Sequence, residues 1–230
     1  MLEALREEVY RANLLLVKHG LVIFTWGNVS GIDRERGLVV IKPSGVPYEE
    51  LSPDNMVIVD MEGRVVEGDL RPSTDTPTHI ELYKAFPTIG GVTHTHSTYA
   101  TAYAQACRPI PAYGTTHADY FYGDIPCTRA MSEAEIGGDY EAATGRVIAE
   151  ALEGIDPLSM PAALVHSHGP FVWAKTPTRS AELAATLEEV ARIAYLTEQL
   201  GGQNHIDGAL LDKHFLRKHG SGAYYGQKSE

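Results

Sequence analysis

Two histidines separated by a single residue, His94 and His96, close the run Gly91-Val92-Thr93-His94-Thr95-His96. In an extended strand, residues two apart share a face, so these imidazoles stand side by side with roots roughly 7 Å apart. Neutral imidazole is the commonest transition-metal ligand, and Zn–N bonds of about 2.0–2.1 Å let two rings converge on one ion. The spacing also suits histidines that face solvent or a polar core, so further ligands must come from elsewhere. A second run, Ala162-Ala163-Leu164-Val165-His166-Ser167-His168-Gly169-Pro170, repeats the pattern of an apolar strand ending in alternating histidines. Gly169 and Pro170 end that element and place His168 at its terminus, where sites in sheet proteins collect. Three histidines and one acid around zinc, with room left for substrate, fit catalytic use better than a closed structural site.

Other polar stretches carry chemistry of a different kind. Lys42-Pro43-Ser44-Gly45 follows an apolar strand and reads as an anion cradle or as an ordinary turn. Gly27-Asn28 is a turn that can also offer backbone N–H groups and an amide to a ligand. In Arg71-Pro72-Ser73-Thr74-Asp75-Thr76-Pro77, Thr76 can cap a helix whose first residue is Pro77. Ser73, Thr74 and Asp75 then lie near a positive helix end, favourable for anions. Asp75 is most simply a capping carboxylate, and beside a metal it becomes a ligand or a base. Gly114 to Gly123 holds His117 and Asp119 two apart among aromatic residues and reads as more than a linker, or as a polar edge strand or turn.

Composition sets outer bounds. The 230 residues suffice for one core without disulfide staples, and 43% hydrophobic with 21% charged residues is ordinary for a globular chain. A formal charge of −11 argues against nonspecific binding to nucleic acid or an anionic membrane. No apolar run reaches the roughly 18 residues of a membrane span, and the first residues lack a signal-peptide apolar core. Cys107 and Cys127 match no zinc or redox spacing. The expectation is a cytoplasmic protein with reduced thiols and a single domain over 1–230.

Elements must position these groups. Leu2, Leu5, Val9, Ala12 and Leu16 mark one face of a helix closed near Gly20. Leu21 to Trp26 predicts a strand broken by Gly27-Asn28, and Gly37 to Ile41 a second. Met56 to Val59 and Arg64 to Val66 predict a hairpin around Glu62-Gly63. Helices are expected from Pro77 to before Pro87, after Ser97, across Thr144 to Leu152, and from Thr178 to Leu200. A last helix carries Leu210 to His219, its basic residues complementing the helix dipole. The apolar tail Ala223-Tyr224-Tyr225-Gly226 reads as a docking segment.

Assembled, these residues resemble the L-ribulose-5-phosphate 4-epimerase group of the class II aldolase/epimerase superfamily over essentially the whole chain. The resemblance rests on Thr25-Trp26-Gly27-Asn28-Val29-Ser30, Ile41-Lys42-Pro43-Ser44-Gly45, Asp75-Thr76-Pro77-Thr78-His79, His94-Thr95-His96, the Gly114–Gly123 run, His166-Ser167-His168-Gly169-Pro170, and Leu211 to Gly220. It implies an α/β/α sandwich around a central mixed, largely antiparallel β-sheet, assembled as a fourfold homotetramer. It implies one divalent metal per subunit, usually zinc, held by Asp75, His94, His96 and His168. Substrate contacts carry over to Gly27, Asn28, Ser44, Gly45, Ser73 and Thr74, with Lys42 from the same motif. The acid/base pair carries over to Asp119 and Tyr225, with His214 and Arg217 as further active-site positions and the tail acting across a subunit boundary.

The implied reaction interconverts L-ribulose 5-phosphate and D-xylulose 5-phosphate in arabinose catabolism. C4 is not adjacent to the C2 carbonyl, so its hydrogen is not acidic and simple deprotonation cannot invert it. Retro-aldol cleavage of C3–C4, rotation of the aldehyde and re-addition solve this, with zinc as Lewis acid and one proton carrier for each face. No Gly-x-Gly-x-x-Gly follows a strand, which weighs against transient nicotinamide oxidation. The rivals are an aldolase that releases its fragments, a zinc hydrolase, and a binding module with a structural metal.

Overall fold

The computed structural model describes residues 1–220 and 222–224. Seven strands form one sheet: β1 (Asn28–Asp33), β2 (Leu38–Ile41), β3 (Val57–Asp60), β4 (Val65–Glu67), β5 (Gly91–His94), β6 (Ala162–Leu164) and β7 (Pro170–Ala174). Their order is β4-β3-β2-β1-β5-β7-β6, and each neighbouring pair is antiparallel. Eight α-helices occur among the described residues: α1 (Glu3–Lys18), α2 (Thr76–Ala85), α3 (Thr98–Gln105), α4 (Thr115–Ala118), α5 (Glu133–Gly137), α6 (Tyr140–Ala151), α7 (Pro177–Gln199) and α8 (Gly208–His219). None is long and apolar enough to cross a membrane.

Alternation along the strands separates two faces. Ser30 of β1 meets α2, its hydroxyl 2.7 Å from His79 Nδ1 and 2.8 Å from the Tyr83 hydroxyl. Its neighbour Gly31 points the other way, where an added Cβ would lie 2.6 Å from Pro177 of α7 and 2.8 Å from Leu5 of α1. Thr93, paired with Val29 across β5 and β1, joins Ser180 of α7 on that second face. The expected α/β/α layering is therefore present, with α1 and α7 on one side and α2 with α6 on the other. β2 and β3 are short Val/Ile runs, buried on both faces as β-branched residues favour. The β3–β4 hairpin forms as expected, with Asp60 Oδ1 accepting from the backbone N–H of Glu62 and Arg64.

Four local expectations change. Leu21 to Trp26 is a loop, not a strand: Phe24 is left-handed at φ 55, and the Trp26 N–H folds back on Ile23 O. Ladder pairing of this segment begins only at Asn28, opposite His94, so β-propensity has no partner to act on before that point. α2 starts at Thr76 with Asp75 in the capping position, yet the Asp75 side chain makes no cap; the Thr76 hydroxyl bonds Ser73 O instead. β6 ends at Leu164, and His166 and His168 sit in the turn to β7, closed by Val165 N–H to Gly169 O and His168 N–H to Val165 O. Pro170 opens β7 and does not end an element. The run after Gly114 begins with the short helix α4. Tyr225 lies outside the described residues.

The buried Asn13 side chain docks α1 on β1. Its amide donates to Val9 O at 2.8 Å and Val29 O at 3.1 Å, and its oxygen accepts the Val29 N–H at 3.0 Å. Val29 lies one residue beyond the part of β1 that pairs with β2, so Asn13 stands in for the missing strand. Asn13→Ala leaves both backbone groups of Val29 unpaired and is expected to cost about 2–4 kcal/mol of unfolding free energy. A urea titration checks this, and a loss below about 1 kcal/mol contradicts the clamp.

Candidate metal centre and anion pocket

His94 is the last residue of β5, and its ring stacks on Phe171, its cross-strand partner in β7, at 4.1 Å and 16°. Its Nδ1 lies 2.9 Å from Pro170 O, so this nitrogen carries the proton and Nε2 keeps its lone pair. His96 follows in the β5–α3 turn, and its Nε2 faces His94 Nε2 at 3.0 Å. His168 arrives from the β6–β7 turn, where Ser167 takes a left-handed φ of 60° and donates its N–H to Ala104 O. The ring centroids stand 4.8 Å (His94–His96), 4.8 Å (His94–His168) and 5.1 Å (His96–His168) apart. One nitrogen from each ring falls within 4.8 Å of the others, which is a group able to hold a metal ion.

Two glycines permit this convergence. At Gly27 (φ 74) an added Cβ would lie 2.8 Å from Val22 and 2.9 Å from His94 O. At Gly169 it would lie 2.9 Å from Thr95 O and 3.3 Å from the His96 ring. The surroundings also set protonation. Burial, then His94 and His96, push the His168 pKa down to about 4. Burial and His94 likewise lower His96. His79, wholly enclosed behind Asp75, is pushed down to about 3 by burial. These rings are neutral at pH 7, with lone pairs available.

The imidazoles open into a cavity of about 430 Å³ that also takes in Gly27, Asn28, Lys42, Ser44, Gly45, Ser73, Thr74 and Asp75. Asn28, Lys42 and Ser73 are buried at its floor, whereas Ser44, Gly45 and Thr74 are exposed at its rim. Asn28 Nδ2 donates to Ser73 Oγ at 3.0 Å and to Asp75 Oδ2 at 2.6 Å. Burial alone would raise the Asp75 carboxyl, but His94, His79 and the Asn28 bond hold it below the usual range. Asp75 thus lines the cavity without joining the trio of close nitrogens.

Lys42 differs from a simple anion ligand. Its ammonium contacts Val46 O at 3.0 Å, Pro43 O at 3.3 Å and Thr25 O at 3.4 Å, above the Tyr48 ring. Burial lowers its pKa to about 8. Tyr48 in turn donates to Trp26 O and Gly27 O. These two side chains therefore tie the Thr25–Gly27 loop to the Lys42–Val46 turn. Two lining residues escaped sequence reading: Tyr140 and Glu141, at the start of α6. The Thr78 hydroxyl holds their turn by a 2.6 Å bond to Glu141 O, and the Tyr140 ring lies 6.4 Å from His168. Their position depends on α2–α6 packing, for which the sequence carries no local signal.

Asp119, His214 and Arg217 gather elsewhere; none lines this cavity. Asp119, just after α4, meets three residues of α8: His214 at 3.0 Å, Arg217 at 2.9 Å and Lys218 at 3.3 Å. Burial would raise the Asp119 carboxyl, but the bonds from His214, Arg217 and Lys218 outweigh it and keep the group ionised. His219 Nε2 adds a contact to Asp119 O at 2.9 Å. The basic end of α8 thus serves a specific carboxylate as well as the helix dipole.

With this geometry in hand, the chain can be set beside known proteins. L-fuculose 1-phosphate aldolase superposes with a TM-score of 0.78 at 25% identity, covering 92% of this chain and 94% of its own. YgbL from Klebsiella pneumoniae, a candidate aldolase/epimerase/decarboxylase, gives 0.68 at 27% identity over 93% and 99%. L-fuculose 1-phosphate aldolase from Glaciozyma antarctica PI12 shares the fold, with 0.76 at 20% identity over 93% and 80%. Residues 7–195 match the family described as Class II Aldolase and Adducin N-terminal domain, and the chain belongs to that family.

Proposed function

We propose that this chain is a divalent-metal sugar-phosphate enzyme that interconverts L-ribulose 5-phosphate and D-xylulose 5-phosphate by breaking and re-forming C3–C4. The observation that carries this reading is the placement of three imidazoles inside the same cavity as the Ser44–Gly45 and Ser73–Thr74 loops.

The donor set suits a metal. His94 Nε2 and His96 Nε2 face each other at 3.0 Å, so both can turn a lone pair to one point between them. Two nitrogens of a tetrahedral zinc with bonds of about 2.0–2.1 Å stand about 3.3–3.4 Å apart. His168 Nδ1 is buried with no hydrogen-bond partner among the described residues. Zinc, one ion per subunit, is the proposed metal, held by His94, His96 and His168, with Asp75 as the oxygen donor. The chemistry such a cation supplies when bound is Lewis-acid polarisation of the ketose oxygens.

The chain's own groups do the rest. Ser44, Gly45, Ser73 and Thr74 present hydroxyls and backbone to the phosphate, with the Lys42 charge and the Asn28 amide beneath them. That grip retains the aldehyde fragment while its carbonyl turns, so re-addition yields either epimer. The C4 hydroxyl points to opposite sides in the two epimers, which requires two proton carriers. Asp119, held ionised, accepts the hydroxyl proton on one side as C3–C4 breaks, and Tyr225 serves the other. Because Asp119, His214 and Arg217 stand away from the chain's own cavity, we assign them to the cavity of a neighbouring subunit in a homotetramer. An aldolase that releases its fragments is the second reading, favoured by the likeness to L-fuculose 1-phosphate aldolase.

Zinc-loaded protein should convert L-ribulose 5-phosphate to D-xylulose 5-phosphate in a coupled assay, lose turnover with a chelator, and accumulate no glycolaldehyde phosphate. Released fragment would select the aldolase, and inactivity towards this substrate would refute the epimerase. Asp119→Asn should retain zinc while kcat falls about 100-fold or more; a near-normal rate removes Asp119 from the chemistry.

Protonation offers a further check on the metal-free protein. An unfolded histidine titrates near 6.5, whereas folded His168 titrates at about 4. Between those values the unfolded chain binds more protons, so stability should fall as pH drops from about 6.5 to about 4. His168→Gln should flatten that slope in urea titrations across the window; an unchanged slope contradicts the burial argument.

A further inference from the structure

The turn that carries His96 is fastened by a residue outside the cavity. His96 is followed by Ser97 and then α3, whose first N–H groups need acceptors. A serine in this capping position ordinarily accepts from the second or third helical N–H through its own hydroxyl. Ser97 does not: its side chain makes no cap, and its Oγ takes the Thr95 hydroxyl at 3.3 Å. The acceptor is instead Glu188 of α7. One carboxylate oxygen takes the Tyr99 N–H at 2.8 Å, and the other takes the Ala100 N–H at 3.0 Å.

We propose that Glu188 is a positioning residue for the metal centre, fixing the start of α3 so that the His96 ring meets His94 and His168. This rests on the metal reading given above. Both oxygens are occupied, so the clamp sets two distances at once, and its charge complements the positive helix end. On the opposite side, Gly169 closes against Thr95 O and the His96 ring with no room for a Cβ. The turn is thereby held between the β6–β7 turn and α7. Of the three imidazoles, His96 is the exposed one, and it sits on a turn rather than in the strand. It therefore needs such a fastening most. His94 depends on the β5 ladder and its Pro170 bond, and His168 on its own turn, so Glu188 acts through one ligand of the three.

That selectivity gives a test. Glu188→Gln keeps the side-chain shape but replaces one acceptor oxygen with a donor, so one of the two N–H groups loses its partner. Zinc affinity would be measured by competition with a chromophoric chelator for the unmodified protein, Glu188→Gln, His96→Ala and the double variant. Folding would be checked by circular dichroism, and exchange of the Tyr99 and Ala100 amides by hydrogen exchange.

The expected result is zinc binding about tenfold weaker for Glu188→Gln, within the range that outer-shell partners command. In the His96→Ala background the same change should alter affinity by less than about twofold, because the ligand it positions is gone. Faster exchange at Tyr99 and Ala100 should accompany the loss. Unchanged affinity in the intact background overturns the inference, and so does an equal loss in both backgrounds, which marks a general structural role. Failure of the unmodified protein to bind zinc would refute the metal reading itself and this inference with it.

Discussion

Three imidazoles can reach one point here because β5 lies antiparallel between β1 and β7. Asn28, His94 and Phe171 form one cross-strand row, so the ladder hydrogen bonds that build the sheet also fix the floor of the cavity. His94 comes from that row, His96 from the turn beyond it, and His168 from the hairpin that begins β7. The rings approach because Gly27 and Gly169 leave no side chain between the turns. A side chain at either position would have to displace backbone, a much larger cost than the loss of a surface contact.

Desolvation then decides what these groups can do. Burial keeps His96 and His168 neutral and therefore basic towards a cation, and it restricts Lys42 to backbone carbonyls that compensate its charge. Asp75 stays ionised because Asn28 and the neighbouring rings favour its charged form. The cavity thus combines imidazole nitrogens, the carboxylates of Asp75 and Glu141 and a rim of hydroxyls, a set suited to a cation and an oxygen-rich anion together. The opposite arrangement appears at Asp119, where three donors from α8 surround one carboxylate. Two clusters of complementary chemistry thus stand on separate parts of one chain.

Much of this was legible from spacing. The paired His-x-His runs, the β3–β4 hairpin, α1 and the long α7 follow from periodicity and turn residues, because those signals are local. Leu21 to Trp26 misled because β-propensity describes a residue's fit to a pleated surface and does not say whether a partner strand is present. Asp75 read as a helix cap or, beside a metal, as a ligand or base; it holds the capping position without a cap bond, and its carboxylate turns to Asn28, 47 residues away. His168 read as a strand end, and the chain instead uses Ser167 in a left-handed turn to aim it. Tyr140, Glu141 and the Glu188 clamp were invisible because each depends on contacts between segments distant in sequence. Local pattern names the histidines, whereas tertiary packing supplies what holds them.

The most direct test of the central claim is X-ray absorption at the zinc edge on metal-reconstituted protein. The account predicts about three imidazole nitrogens at about 2.0–2.1 Å together with oxygen ligands, and loss of one imidazole contribution in His96→Ala. A first shell of oxygens alone, or a spectrum unchanged by His96→Ala, would contradict the metal centre and the function proposed from it.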